Sequence, residues 1–347
     1  EDSFGPTGCC GHEEAGKLTN TPPKGRINSI MSLETSGPDR AVASTDTVGG
    51  HRPPTVSRAR RQFRPYLLSI PATVVLIGIL YPFALGVYYT FLNYSATNPN
   101  PKFVGLQNYI YVFTDPAFWN SARVTVTFAI VATLLETVLG IGIALLLNRS
   151  SLIGKIFEKV LILPLMIAPV IAAVMWKLMF NPQFGVLNYI FGLGSTFDFL
   201  NAERALWSVV LVDAWIYTPF VAILVLAGVR SLPKEPFEAS AVDGANWFYV
   251  FRRLMLPMMW PYILVAVIFR FMDCLKIFDI SYVLTTGGPG DATKSMQVGA
   301  YIQSVLNFNY SMGSTYMFLL WIIVYIAAKY LVNVLGKAQR RAAGSEN

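Results

Sequence analysis

Four charged residues stand at intervals of three within one apolar stretch of the chain. They are Arg270, Asp273, Lys276 and Asp279, in the sequence FRFMDCLKIFDISYVL. A charged side chain at the centre of a bilayer costs at least ~2.5 to 3.5 kcal/mol on insertion scales, so the four are predicted not to face lipid. On a helix, a spacing of three makes them neighbours of opposite sign, and the ladder partly neutralises itself.

The sequence leaves two functions open for this ladder. Successive steps of three rotate backwards by about 60° around a helix, so the four charges wind over half of the cylinder and cannot all meet one partner helix. Some of them are predicted to line a hydrated path for a polar solute. The alternative is a structural ion-pair ladder between helices, and we favour a mixture weighted toward the path.

Polar and aromatic residues of other apolar runs are candidates for the same path. Glu136 lies near the middle of one run and Asp213 in the outer half of another. Each could pair with a basic residue of the ladder or bond a solute hydroxyl. Trp215, Tyr217 and Tyr282 could stack on a flat solute, although an aromatic belt at the membrane–water interface is the more common role of such residues.

No catalytic or metal-binding pattern accompanies these residues. Cys9 and Cys10 are adjacent, Cys274 stands alone in an apolar run, and His12 and His51 lie in a polar segment. Neither a CxxC pair nor an intramembrane HExxH motif is therefore predicted. The sequence also lacks GxxxxGK[ST], which predicts no ATP hydrolysis by a P-loop of its own.

The composition indicates an all-α, polytopic membrane protein. Hydrophobic residues make up 54% of the 347 residues and charged residues only 14%, whereas a soluble domain has about a quarter charged residues. Six apolar runs are long enough to cross a bilayer as helices: Tyr66–Leu92, Val124–Leu147, Val160–Phe180, Leu206–Val229, Met258–Leu284 and Met317–Leu335. Prolines inside them are expected to kink or break the helices, at Pro71, Pro82, Pro164, Pro169 and Pro219.

The basic residues predict the topology rather than a nucleic-acid surface. The net charge of +7 is concentrated at the ends of apolar runs, where it orients membrane helices. One set of flanks holds fourteen basic residues, namely Arg58, Arg60, Arg61, Arg64, Arg149, Lys155, Lys159, Arg230, Lys234, Arg252, Arg253, Lys337, Arg340 and Arg341. The opposite set holds four, namely Lys102, Arg123, Arg204 and Lys294. Both termini are therefore predicted to be cytoplasmic.

The polar ends divide the chain into three parts. Residues 1–62 are rich in Gly, Pro, Ser and Thr and are predicted to be a disordered cytoplasmic tail. Because MSLETSG from Met31 is typical of a natural start, residues 1–30 are interpreted as an upstream extension or added, non-native sequence. The membrane domain is predicted at 63–341, with a cytoplasmic loop at 230–257 and a short tail at 342–347.

That loop contains the segment EASAVDGANWFYVFRRLMLP, residues 238–257, which we call the Glu238 segment. Its first residues predict one helical turn, and Gly244 suits the left-handed position that ends a helix. Asn246 can cap a second short helix, which is expected to finish before Pro257. The sequence thus predicts helix, Gly turn, helix.

The order EAS, DGA and LP in this segment resembles the EAA loop of the permeases of binding-protein-dependent ABC importers. Ser240 replaces the usual third Ala, and Leu254 stands where Ile is commoner. The resemblance implies that the segment docks into a groove on an ATP-binding subunit and carries its motion to the membrane helices. The residues implied in this coupling are Glu238, Ala239, Ser240, Asp243, Gly244, Ala245, Arg252, Leu256 and Pro257. Glu238 and Asp243 would supply charge and Gly244 the bend, while Arg252 would pair with the partner or with anionic lipid.

Two further segments resemble the first of two permeases of carbohydrate importers, of the maltose, glycerol-phosphate and trehalose type. They are IFDISYVLTTGGPGDAT, from Ile277 to Thr293, and ILPLMIAPVIAAVMWKLMFNPQFGVLN, from Ile162. The resemblance implies a six-span type I importer fold in a bacterial inner membrane and a mono- or disaccharide or polyol as solute. It also implies a second permease forming a heterodimer, two ATP-binding subunits and an extracytoplasmic solute-binding protein. ATP and Mg would be used by the partners, and this chain would bind no cofactor.

Two alternatives belong to other classes of protein. A polytopic membrane enzyme would use Asp213, Asp273 or Asp279 as an acid or base, and would need two of them on facing helices within reach of one another. A stand-alone, ion-coupled transporter would use buried acids as proton sites, and inverted halves among the spans would favour it. The sequence offers no recognised motif of an intramembrane enzyme.

Overall fold

The structure is a computed structural model that describes residues 58–148, 152–194 and 196–342. Most of the predicted tail at 1–62 lies outside these residues, as does the possible extension at 1–30. Both assignments stay predictions.

The described part of the chain is built from helices and one short hairpin. The helices are α1 Arg58–Tyr89, α2 Gln107–Thr114, α3 Pro116–Leu147, α4 Leu152–Leu161, α5 Pro169–Met179, α6 Val186–Ile190, α7 Ala205–Arg230, α8 Glu235–Val242, α9 Trp247–Val250, α10 Leu256–Cys274, α11 Asp279–Thr285, α12 Met296–Tyr301 and α13 Tyr310–Ala342. Strands β1 (Leu92–Ser95) and β2 (Asn98–Phe103) pair antiparallel between α1 and α2. This confirms the all-α class.

Within the described residues, five helices are long and apolar enough to cross a membrane. They are Ser69–Tyr89, Pro116–Leu147, Ala205–Arg230, Trp247–Cys274 and Tyr310–Arg340. A sixth span is formed if the bent pair Gly154–Met166 and Pro169–Met179 is counted as one. The chain is a multi-pass membrane protein.

The bend in that pair is the break that the prolines of the third apolar run predict. Its two helices meet at 94°, with a 3-10 turn at Pro164–Met166 and Pro169 in the first turn of α5. Proline ends a helix because it lacks an N–H and because its ring disfavours a helical residue before it. By contrast, α7 runs through Pro219 without a break, so a proline alone does not decide the outcome.

Helices α3 and α7 pack closely because a small residue of α3 lies directly against a side chain of α7. A Cβ added to Gly140 of α3 would lie 2.6 Å from Cγ1 of Val221 in α7. Around this contact, alanine and branched side chains of both helices are buried, including Ala144 of α3 and Val225 of α7. Close approach through small residues is how helices associate where no hydrophobic effect drives them together. This pair forms the frame of the core.

The fifth apolar run is not the single helix that Met258–Leu284 predicts. Helix α10 ends at Cys274, and α11 begins at Asp279. Between them, the side chains of Leu275 and Ile277 enter the same buried cluster as Phe128 and Ile216. Two residues two positions apart would point to different sides of a continuous helix, and the turn between α10 and α11 places both in this cluster. The prediction that the four charged residues wind around a single helix is therefore wrong.

The second helix of the Glu238 segment does not finish before Pro257. After α9 comes a π-helical turn at Phe251–Met255, and α10 follows directly. Trp247–Cys274 is thus one helical unit of 28 residues. The π turn precedes Pro257, which lies in the first turn of α10; wider turns of this kind accommodate irregularities and often occur at functional sites. The predicted end of the helix is wrong.

Candidate functional site

A buried arginine connects three membrane helices. Arg270 of α10 donates through Nε to Oε2 of Glu136 at 2.5 Å and through Nη2 to Oε1 of Glu136 at 2.8 Å. Glu136 belongs to α3. The same Nη2 donates to Oδ2 of Asp213 in α7, at 2.8 Å. Arg270 is 2% exposed, Glu136 0% and Asp213 3%, so these ion pairs lie out of contact with lipid and solvent.

The remaining faces of the guanidinium are also occupied. Nη1 donates to Oδ2 of Asp273 at 2.8 Å, and the ring of Tyr217 covers the guanidinium with its centroid 4.0 Å from Cζ. The sulfur of Cys274 lies 3.3 Å from Nη2. A cation over a tyrosine face is attracted by the ring quadrupole. We call Glu136, Asp213, Arg270 and Asp273 the Arg270 cluster.

Helical spacing explains why these side chains meet. Asp213 and Tyr217 are four residues apart on α7, and Arg270, Asp273 and Cys274 are three and four apart on α10, so each set shares one face of its helix. On α3, Glu136 follows Ala132 and precedes Gly140 on the face packed against α7. Small residues one turn on either side leave room for the carboxylate and the guanidinium.

A polar pocket of about 110 Å³ lies beside the cluster, at the break between α10 and α11. Its polar lining comes from Asp213, Tyr217, Asp273, Lys276 and Asp279. The side chains of Asp273 and Lys276 are 53% and 55% exposed, with 3.9 Å between Oδ1 and Nζ. The break in the fifth run thus creates the pocket, because it exposes charges next to a buried ion pair.

The same residues include three side chains of a kind that can bind a metal ion. Oxygens of Glu136 and Asp213 and the sulfur of Cys274 all lie within 4.8 Å of one another, which is a spacing that could hold an ion. Arg270 Nη2 already contacts all three groups at 2.8, 2.8 and 3.3 Å. A metal would have to displace a guanidinium that neutralises the same oxygens. The arrangement fits an arginine-centred cluster.

Most of the path residues expected from the sequence come together here. The cluster and pocket contain Glu136, Asp213, Tyr217, Arg270, Asp273, Lys276 and Asp279. Trp215 does not join them: it packs against Trp176 with 5.6 Å between ring centroids. Tyr282 stacks on Phe278 at 5.3 Å. The contact of Cys274 with the cluster was missed, although its position four residues after Arg270 was a usable signal.

The Glu238 segment has the opposite character to this cluster. Helix α8 ends in a Schellman motif, in which Ala245 N–H donates to the carbonyl of Ser240 at 3.0 Å and Gly244 N–H to that of Ala241 at 3.2 Å. Gly244 has φ +70°, the left-handed conformation that the sequence predicts for it. Asn246 stands at the N-cap of α9, but its side chain makes no capping hydrogen bond to the described residues.

Residues 232–258 are all at least partly exposed. The exposed side chains include large apolar ones: Val242 is 88% exposed, and Trp247, Phe248 and Tyr249 about 60% each. These four flank the charges of Glu238 and Asp243, which are exposed as well. An exposed apolar patch rimmed by polar residues is typical of a surface that binds another protein.

One helical unit joins the two regions. From Trp247 beside the Gly244 turn to Arg270 in the cluster, Trp247–Cys274 covers roughly 35 Å at 1.5 Å per residue. The exposed segment and the cluster therefore lie on the same continuous helical unit.

Comparison with known proteins gives close relatives. The chain is 38% identical to the trehalose/maltose transport system permease protein MalF of Thermococcus litoralis, over 75% of this chain and 89% of the relative. It is 30% identical to the trehalose transport system permease protein SugA of Mycobacterium tuberculosis, over 82% and 92%. It is 32% identical to the sulfoquinovosyl glycerol transport system permease protein SmoG of Agrobacterium fabrum, over 72% and 82%.

A solved structure shares the fold. A chain of a bacterial ABC transporter involved in the import of the acidic polysaccharide alginate superposes with a TM-score of 0.70 at 20% identity, over 80% of this chain and 96% of that one. The pattern of one family, described as binding-protein-dependent transport system inner membrane component, matches residues 136–343. This range includes the Arg270 cluster, the polar pocket and the Glu238 segment. The chain therefore belongs to the family of inner membrane components of binding-protein-dependent transport systems.

Proposed function

We propose that the chain imports a carbohydrate, a mono- or disaccharide or a polyol, as one permease of an ABC importer. The relatives that support this solute class are permeases of trehalose/maltose, trehalose and sulfoquinovosyl glycerol transport. The observation that carries the mechanism is the single helical unit Trp247–Cys274, which connects an exposed surface with a polar pocket inside the membrane domain. A permease needs such a connection.

As a permease subunit, the chain is non-catalytic and binds no cofactor itself. The membrane-enzyme alternative, with Asp213, Asp273 or Asp279 as acid or base, is thereby wrong. We propose that ATP and Mg are used by two ATP-binding partner subunits. Two of the three aspartates, Asp213 and Asp273, are bonded to Arg270, an arrangement that suits positioning better than proton transfer to a substrate.

The Glu238 segment is the proposed docking surface for an ATP-binding subunit. Its proposed contact residues are Glu238, Ala239, Ser240, Asp243, Gly244, Ala245, Arg252, Leu256 and Pro257. Exposed charge and exposed aromatic side chains stand side by side on this surface, which is the composition of a protein-binding patch. Leu256 and Pro257 begin α10, so their proposed role is to pass the motion of the docked helices into the membrane.

We further propose a second permease as the heterodimer partner and an extracytoplasmic solute-binding protein as the donor of the solute. A structure similar in fold is an alginate ABC transporter solved with a periplasmic protein that holds an alginate pentasaccharide. The proposed location is a bacterial inner membrane with both termini in the cytoplasm. This orientation puts the Glu238 segment on the side where ATP is available.

In the proposed cycle, closure of the ATP-binding subunits displaces α8 and α9, and Trp247–Cys274 carries the displacement to Arg270. Because Arg270 holds Glu136 of α3 and Asp213 of α7, the three helices move together. The pocket at the end of α10 then changes its access. Asp273, Lys276, Asp279 and Tyr217 are the proposed solute contacts, while Glu136 and Arg270 hold them in position. Trp215 was also a candidate for the path; it packs against Trp176 and is not among the solute contacts that we propose.

The experiment is reconstitution of the chain with its partners in proteoliposomes. Radiolabelled trehalose, maltose and glycerol are offered with the binding protein, and methionine serves as the non-carbohydrate comparison. We expect uptake of one or more of the carbohydrates that requires ATP on the side of the ATP-binding subunits. ATP-driven uptake of methionine with none of the carbohydrates would contradict the solute class, and uptake without ATP would contradict the importer.

A further inference from the structure

Asp213 occupies a special position, since it belongs both to the Arg270 cluster and to the wall of the polar pocket. It is 3% exposed. Its neighbours with charge or titratable groups come from every element around it: Glu136 of α3, Tyr217 of α7, Arg270, Asp273, Cys274 and Lys276 of α10 and the turn after it, and Asp279 of α11. Its protonation state therefore decides the charge of the whole site.

The buried charges do not balance if every group is ionised. Arg270 is the single cation among the fully buried members of the cluster, whereas Glu136 and Asp213 are two potential anions. Asp273 adds a third carboxylate, but it is half exposed and has Lys276 at 3.9 Å. A net charge buried in a membrane domain is strongly unfavourable, and a group without a counter-charge is neutralised by binding a proton instead. One of the two buried acids is therefore expected to be protonated.

The hydrogen bonds indicate which acid this is. Glu136 accepts an N–H of Arg270 on each of its two oxygens, so it pairs with the guanidinium as a bidentate carboxylate and has no oxygen on which a proton would avoid a donor. Asp213 is different, because the two described groups that donate to it, the N–H of Arg270 and the distant thiol of Cys274 at 3.8 Å, both reach Oδ2, while the Glu136 carboxylate beside it is an acceptor. Its other oxygen, Oδ1, can carry a proton without facing a donor.

We propose that Asp213 is held as a neutral carboxylic acid whose Oδ1–H is directed to the polar pocket. The pocket then offers one uncharged donor next to the carboxylate acceptors of Asp273 and Asp279. A hydroxyl group both donates and accepts hydrogen bonds, so this combination suits a neutral, hydroxyl-bearing solute. The statement about the solute rests on the carbohydrate importer proposed above; the protonation of Asp213 does not.

Infrared spectroscopy tests the protonation directly. The full-length protein, purified in its transporter complex and placed in nanodiscs at pH 7.5, is compared with Asp213→Asn and with Asp279→Asn as a matched control. We expect a C=O stretching band of a protonated carboxyl group in the wild type and in Asp279→Asn, and its loss in Asp213→Asn. The absence of the band from the wild type, or its persistence in Asp213→Asn, would overturn the proposal.

Two further readouts separate the parts of the proposal. Because Oδ1–H faces the pocket, the band is expected to shift within minutes of transfer to D₂O, and a band that stays unshifted for hours would overturn the pocket-facing hydrogen. Thermal unfolding is the second readout. Asp213→Asn resembles the neutral acid and is expected to change the melting temperature by about 2 °C or less, whereas Glu136→Gln breaks the buried ion pair and is expected to lower it by about 5 °C or more. Equal losses in the two variants would indicate an ionised Asp213. If uptake assays fail to show carbohydrate import, the spectra still decide the protonation of Asp213.

Discussion

The Arg270 cluster and the Glu238 segment are the two polar regions at the ends of one helix, and they are built in opposite ways. In the cluster, three helices supply side chains that bond to one another, and all but Asp273 are hidden from solvent. In the segment, a local run of residues forms two short helices and a turn, and its side chains are left exposed. The polar groups of the cluster find hydrogen-bond partners within the chain, whereas the exposed side chains of the segment remain available to a partner protein.

This difference explains where sequence motifs occur. The Glu238 segment, which we propose as a docking surface, keeps its residues in order along one short stretch, so its pattern is recognisable in the sequence. A cluster assembled from α3, α7 and α10 needs only one polar residue at the right place in each helix, so it leaves no local pattern. The largest effects of mutation are therefore expected in the cluster on stability, and in the segment on partner binding.

The largest effect on stability is expected from Arg270→Met. The substitution leaves the Glu136 carboxylate buried without a counter-charge and Asp213 without the N–H that it accepts, and breaking a buried pair in this way typically lowers the free energy of unfolding by about 3–5 kcal/mol. Thermal unfolding of the purified protein in nanodiscs measures the loss. The triple variant Glu136→Gln/Asp213→Asn/Arg270→Met, which removes the buried ion pair together with the acid of Asp213, is the control and is expected to recover most of the stability. A single variant as stable as the wild type would mean that the cluster does not hold the three helices.

The largest effect on partner binding is expected from Gly244→Trp. The substitution puts a bulky side chain on an exposed turn where a Cβ would meet nothing within 4 Å, so the fold of this chain loses only the preference of glycine for φ +70°, roughly 1–2 kcal/mol. Co-purification of the ATP-binding subunit is expected to fall at least tenfold, as is ATP-driven uptake.

Gly192→Trp is the matched control for this variant. Gly192 has φ +62° and equally open space around its Cα, but it lies in the loop after α6. We expect co-purification of the ATP-binding subunit with Gly192→Trp at the wild-type level. If both tryptophan variants lose the subunit, the effect is one of folding, and the docking role of the segment is not supported.

The two regions also differ in how far the sequence predicts them. The helix, glycine turn and second helix of the Glu238 segment follow from local rules, and the left-handed Gly244 confirms them. The continuation of the second helix through Pro257 was not predicted, because a proline normally argues for a boundary. The π turn before it depends on the packing of α10 against the other spans, which no local pattern specifies.

In the cluster, sequence reasoning identified the residues but not their geometry. Glu136 and Asp213 were correctly named as candidates to pair with Arg270, since unpaired charges in apolar helices need partners. The break after Cys274 was missed because 275–278 has neither Gly nor Pro. At the break, Leu275 and Ile277 pack in one cluster with residues of α3 and α7 about sixty or more positions away, a contact that no local pattern specifies, and Asp279 lies on the next helix.

A smaller effect is expected from a substitution in the polar pocket, which is half exposed and thus intermediate between the buried cluster and the exposed segment. Asp279→Asn removes a carboxylate acceptor that we propose to bind solute hydroxyls. A hydrogen bond to a charged group contributes about 1.5 kcal/mol or more, so the KM for uptake is expected to rise about tenfold with little change in melting temperature. Asp291→Asn, which alters an acid paired with Lys294 outside the pocket, is expected to leave the KM unchanged. A wild-type KM in Asp279→Asn would exclude Asp279 from the solute contacts.

The smallest effect is expected from an ion pair outside both regions. Arg230 at the end of α7 makes a two-point contact with Glu158 of α4, at 2.9 and 3.2 Å, and thus has the same number of hydrogen bonds as Arg270 has with Glu136. The side chains are 48% and 32% exposed, however, and exposed pairs contribute only about 0.2–1 kcal/mol. Glu158→Gln is therefore expected to lower the free energy of unfolding by less than 1 kcal/mol, and by less still at high salt because surface charges are screened. Glu136→Gln is measured under the same conditions, because it makes the same chemical change at a buried site. If the two variants lost equal stability, burial would not be what separates the Arg270 cluster from the exposed polar surface of this protein.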